Sequence, residues 1–157
     1  MAIQNLQAST AIEVIPSDTI DIPNPVAIVA SGTQTSATAN KLTNTGATFD
    51  DGSVKIGDIV YDTTGMSIAT VTAIDSATVL SISADIFTAT EDYVIYDHTA
   101  KAMPSLYVGV AGDVSVEMAG TGAAIVYKGV AAGSTLPINV TRVNSTATTA
   151  TDIVALF

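Results

Sequence analysis

Short apolar runs rich in Val, Ile and Thr, each closed by turn residues, recur along the whole chain. Runs of this length bounded by Gly, Asp, Asn or Ser predict β-strands. They fall at residues 12–15, 26–30, 54–61, 68–74, 79–83, 93–96, 105–110, 114–118, 124–128, 136–142 and 153–157. Residues 114–118 (VSVEM) and 138–141 (INVT) alternate apolar with polar, the period that gives a strand one buried face. Between the runs stand Asp50-Asp51-Gly52, Thr63-Thr64-Gly65, Asp75-Ser76, Ala111-Gly112-Asp113 and Ala132-Gly133-Ser134. These residues accept positive φ or bond to their own backbone, and so make turns. No stretch sustains a 3.6-residue period; a helical turn near 84–88 is the only helix the pattern predicts. The expected fold class is all-β.

Composition agrees with that expectation. Hydrophobic residues make up 48% of the 157, yet only 5% are aromatic and 13% charged. The bulk is β-branched or small, which suits a pleated surface better than a helix. The formal charge is −10, and the cations Lys41, Lys55, Lys101, Lys128 and Arg142 are scattered singly. Phosphate backbones are bound by clustered cations, so no contact with nucleic acid or with an anionic membrane is expected. The acidic balance keeps an apolar chain soluble or complements a basic partner. Mean hydropathy is +0.46, but no apolar run approaches the ~20 residues of a spanning helix. The start, MAIQNLQAST, has neither a basic stretch nor an apolar core, so no signal peptide is expected. With no cysteine, disulfides and thiolate metal sites are excluded.

Candidate chemistry is sparse. His98 is the single histidine and follows Asp97. A base oriented by a carboxylate is one reading of the pair; an exposed linker histidine is the preferred one, since no nucleophile motif accompanies it. Asp50-Asp51-Gly52-Ser53 opens like a calcium loop but lacks the alternating ligands and closing glutamate, and reads as a tight turn. The glycines at 109–112 and 120–122 lack the helix and lysine of a phosphate loop. Tyr61, Tyr93, Tyr96, Tyr107 and Tyr127 lie mostly in predicted strands and read as packing residues. No catalytic, cofactor-binding or metal-ligating residue is therefore expected, and no enzyme.

Residues 1–25, punctuated by Pro16, Pro23 and Pro25, read as an extended arm; the remainder divides near 98, before Met103-Pro104. Lobes of this size bury too little surface to be more than marginally stable alone, which favours oligomerisation.

The C-terminal part carries a resemblance. Residues 105–120 (SLYVGVAGDVSVEMAG), 127–143 (YKGVAAGSTLPINVTRV) and 146–157 (TATTATDIVALF) resemble the small β domain of the spike-base proteins of phages and gene-transfer agents. Residues 13–23 (EVIPSDTIDIP) resemble that family's N-terminal portion, which in the family runs almost directly into the LYVG strand. Here the segment between them is similar to a small β module of phage and marine-virus structural proteins. The resemblance implies a small β-sandwich or barrel-like domain from 1–26 plus 99–157, with an extended N-terminal arm, and a second β module inserted at 27–98. It implies a virion protein made in the host cytoplasm: a capsid-surface decoration, cement or spike-base protein that binds the major capsid protein. A homo-oligomer, trimer or pentamer, and contact with a fibre or spike protein are further expectations. The alternative is a tail or baseplate adsorption protein whose inserted module binds a host surface glycan. The residues expected to make the attachment are Ile12, Val14, Ile15, Ile20 and Ile22 in the arm, with Ile153, Val154, Leu156 and Phe157 at the C-terminal strand. Extended segments of this kind add main-chain hydrogen bonds to a sheet edge without needing charge.

Overall fold

The alternating runs fold as antiparallel strands. A computed structural model describes residues 8–88 and 90–157. The strands are β1 (Ala11–Glu13), β2 (Ile28–Thr33), β3 (Lys41–Thr43), β4 (Ile59–Asp62), β5 (Ser67–Ser76), β6 (Val79–Ile82) and β7 (Asp92–Tyr96). They continue with β8 (Ser105–Val110), β9 (Gly112–Met118), β10 (Ala124–Val130), β11 (Ser134–Leu136), β12 (Val140–Val143) and β13 (Thr151–Leu156). The fold is all-β, and the chain divides into two compact units, Met1–Ile22 with Ala102–Phe157, and Pro23–Lys101.

The discontinuous unit is a small sandwich of a four-stranded sheet, β1-β13-β8-β11, and a three-stranded sheet, β10-β9-β12. Period-two patterning explains the packing. Leu106 and Val108 of β8, with Ile153 and Ala155 of β13, meet Val114 and Val116 of β9 and Val140 and Val143 of β12 in one core. Pro137 divides the run at 136–142. Its missing N–H cannot serve a ladder, and the segment becomes β11 in one sheet and β12 in the other.

The arm from Ala8 to Ile22 belongs to this unit; residues 1–7 of the expected arm lie outside the described residues, and Pro23–Pro25 open the other unit. β1 pairs with β13 in the register Ala11↔Leu156, Ile12↔Ala155 and Glu13↔Val154. Beyond the strand, Ser17 N donates to Val143 O at 2.9 Å and Ile22 N to Thr141 O at 2.9 Å. Asp18 accepts from Thr146 N at 2.9 Å and Thr146 Oγ1 at 2.7 Å. Arg142 reaches Asp21 at 3.1 Å and also bonds Glu117. Val14 and Ile22 are buried, worth about 1.5–3 kcal/mol each. The arm is thus stitched along its own unit.

The continuous unit is a curled six-stranded sheet in the order β2-β7-β4-β5-β6-β3. Every residue of the central strand β4 is buried. Curling brings the chain after β2 to the far edge, where Thr35 N donates to Thr43 O at 2.7 Å. Leu42, Val60, Ala69, Val71, Leu80, Ile82 and Ile95 fill the concave side. Phe49 plugs it from a 3-10 turn (Phe49–Asp51) that ends at Gly52 in the left-handed region. Asp62 shapes the β4–β5 hairpin: its buried Oδ1 accepts from Thr64 N at 2.9 Å and Gly65 N at 2.8 Å.

Three expectations about elements are corrected. Residues 84–88 are not helical, and the 3-10 turn at Phe49–Asp51 is the one helical element among the described residues. Of the run at 54–61, only Ile59 onward is strand, because Lys55–Asp58 closes as a turn, Asp58 N donating to Lys55 O at 3.1 Å. β3 is additional; its only buried residue is Leu42.

Candidate functional site

The residues expected to make the attachment serve the sandwich itself. Val14, Ile22 and Ile153 are buried in its core, while Ile12 and Phe157 are half-buried against it. Ile15, Ile20, Val154 and Leu156 are half-buried as well. Val14, Ile22 and Ile153 face inward, whereas Ile12, Ile15, Ile20, Val154, Leu156 and Phe157 keep part of their surface exposed. The arm and the C-terminal strand form the β1–β13 pair.

His98 keeps 39% of its side chain exposed but is tied to Asp58. Its ring Nδ1 lies 2.8 Å from Asp58 Oδ1, and its backbone N donates to the same oxygen at 3.2 Å. The Asp58 side chain is 1% exposed, and its other oxygen accepts from Lys55 N at 2.8 Å. A carboxylate so deeply buried is tolerated because each oxygen is bonded. The sequence neighbour Asp97 turns instead to Thr99, whose Oγ1 and N donate to it at 2.6 and 2.8 Å. Those bonds hold the Asp97 carboxyl below its ordinary value. Donor atoms of Asp58, Asp97 and His98 all lie within 4.8 Å of one another. The hydrogen bonds of this cluster fasten the chain after β7 to the turn before β4.

The tyrosines are mostly internal. Tyr61 and Tyr96 pack edge to face at 6.4 Å, and Phe49 and Tyr93 are tilted at 6.3 Å. Burial raises the hydroxyls of Tyr93 and Tyr96 above the ordinary tyrosine value. Tyr107 alone of the five is exposed. A depression of about 220 Å³ lined by Asn44, Thr48, Asp51, Ser53 and Tyr93 falls short of the ~300–1,000 Å³ of an ordinary ligand site. Asp51 there accepts from Ser53 N at 2.8 Å, the tight-turn role expected of that segment.

One accessible apolar feature of the sandwich is β10. Among the described residues it pairs only with β9, and its other edge is open. Ile125 and Val126 are 45% and 36% exposed. The run AIVY at 124–127 reads in sequence like a core strand; only the sheet order reveals it as an edge.

No protein family, no curated protein and no solved structure matches this chain.

Proposed function

We propose that this protein is a structural component of a tailed-phage particle, a capsid-surface decoration, cement or spike-base protein that binds the major capsid protein. The observation that carries this reading is that, of the stretches resembling spike-base proteins (11–25 and 103–157), the first as far as Ile22 and the second build one core. The arm strand β1 completes the sheet formed by β13, β8 and β11, and Val14 and Ile22 complete the core formed by the C-terminal strands. Segments far apart in sequence therefore act as one domain, as the resemblance implies. A fold held by apolar strands suits an architectural role.

The alternative, an adsorption protein binding a host glycan through 27–98, is less well supported. Stacking on sugars needs exposed aromatic faces, and Tyr61, Tyr93 and Tyr96 are buried.

Gold-labelled antibody against the chain, applied to gradient-purified particles, separates the readings. Label over the head surface or vertices is expected. Label confined to the tail tip supports the adsorption reading, and unlabelled particles overturn both.

A further inference from the structure

Sheet edges of this length are normally protected by charge, proline, a bulge or a covering loop. β10 carries a register shift after Tyr127, but its first four residues, Ala124–Tyr127, pair regularly with β9 and contain neither charge nor proline. Backbone bonding shows which of its groups are free. Val126 stands opposite Ser115. Ser115 directs its own backbone away from β10: its N donates to Thr148 Oγ1 at 2.9 Å, and its O accepts from Asn144 N at 2.8 Å. In an antiparallel ladder the bonded and non-bonded pairs alternate. The Val126↔Ser115 pair is therefore a non-bonded one, and the N–H and C=O of Val126 and Ala124 point to the open side.

Charge decides what covers this edge. All of the chain's fifteen acidic residues lie outside 118–151, so that stretch carries Lys128 and Arg142 and no carboxylate of its own. Both cations are already paired, Lys128 with Asp113 at 2.9 Å and Arg142 with Asp21 and Glu117. Glu117, opposite Ala124, and Lys128 are each paired within the chain, so the charges beside the edge are internally balanced. The edge complements itself. In an antiparallel pairing centred on Val126, Val126 faces Val126, Ile125 faces Tyr127, and Ala124 faces Lys128, with no like charges opposed. The net −10 of each copy then acts only at longer range, where salt screens it within about 8 Å at physiological ionic strength.

We infer that β10 pairs with β10 of a second copy of this chain across a two-fold axis at Val126. The pairing joins two three-stranded sheets into one of six strands, and makes the solution species a dimer rather than a trimeric or pentameric ring. It does not depend on the virion reading.

The chain has no cysteine, so a single introduced thiol reports the contact directly. Facing residues of a bonded antiparallel pair have Cα atoms about 5.5 Å apart, a spacing a disulfide spans. The full chain is expected to sediment at about twice 15.9 kDa at high micromolar concentration, and more completely as salt is raised. Val126→Cys should oxidise to a covalent dimer, whereas Val26→Cys, at a residue 73% exposed in the other unit, should not. Val126→Pro and Val126→Lys, each checked for a wild-type circular dichroism spectrum, should weaken dimerisation about tenfold or more by removing or obstructing the two mutual main-chain bonds. A monomer at all concentrations, a ring of three or more copies, equal crosslinking of the two cysteine variants, or a dimer indifferent to both Val126 substitutions would each overturn the inference.

Discussion

Replacing Ile153 by alanine distinguishes a strand that closes the sandwich from one held ready for a partner. Ile153 is 2% exposed and stands opposite Val108 of β8, itself fully buried. The substitution removes three carbons. At roughly 0.8 kcal/mol each the transfer loss is about 2.4 kcal/mol, and the unfilled cavity brings the cost to about 3–4 kcal/mol. Its neighbour Val154 lies on the opposite face and is half-buried, so Val154→Ala should cost only about 1 kcal/mol. Hydrogen exchange on the full chain, read at the amides of β8 and followed through a urea series, isolates the opening free energy of this unit. Ile153→Ala should lower it by the larger amount and Val154→Ala by the smaller. Equal small losses would show that Ile153 does not face a packed core, and the account of β13 as an internal strand would fail.

Other outcomes follow from named contacts. A Cβ on Gly112 would sit 2.7 Å from both Ala150 Cα and Thr149 C, all backbone, so Gly112→Ala should lower the melting temperature by several degrees or more, whereas Gly120→Ala, with open space around it, should not. His98→Ala removes a bond from the buried Asp58 carboxylate and should destabilise the continuous unit by about 1–3 kcal/mol, measured by urea unfolding; no change would mean that the bond is not formed. Thr146 bonds to Asp18, and Gly129 and Lys128 bonds to Asp113, hold both carboxyls below the ordinary value. A depressed folded value gives stability that is complete above the unfolded value of about 3.9 and is lost as pH falls through the folded one. Thermal unfolding should therefore show a plateau above about pH 5 and a decline below about pH 4, and a rise in stability on acidification would contradict these bonds.

Period and turn chemistry made much of the architecture legible. β8 was readable to its ends because Leu106 and Val108 point inward and Tyr107 outward, and Thr63-Thr64-Gly65 marked a turn whose bonds to Asp62 only the structure shows. β3 was not readable, since a three-residue strand with one buried side chain has no period to detect. The strand across Pro137 was over-extended because hydrophobicity continues where the N–H does not. Long-range chemistry was the least accessible part: Asp58 and His98 are forty residues apart, and the adjacent Asp97 was the natural candidate partner. The pairing of the arm with β13 was hidden for a related reason. Apolar positions in an extended arm look available until the sheet they complete is known, whereas Ile125 and Val126 look internal until β10 is seen to be an edge.

The central claim, a structural protein of the virion, is tested most directly by absolute quantification of this chain against the major capsid protein in purified particles, using isotope-labelled peptides. A decoration or cement role gives hundreds of copies in fixed ratio to the capsid protein, and a spike base gives a few tens at the vertices. Fewer than one copy per particle would contradict the account.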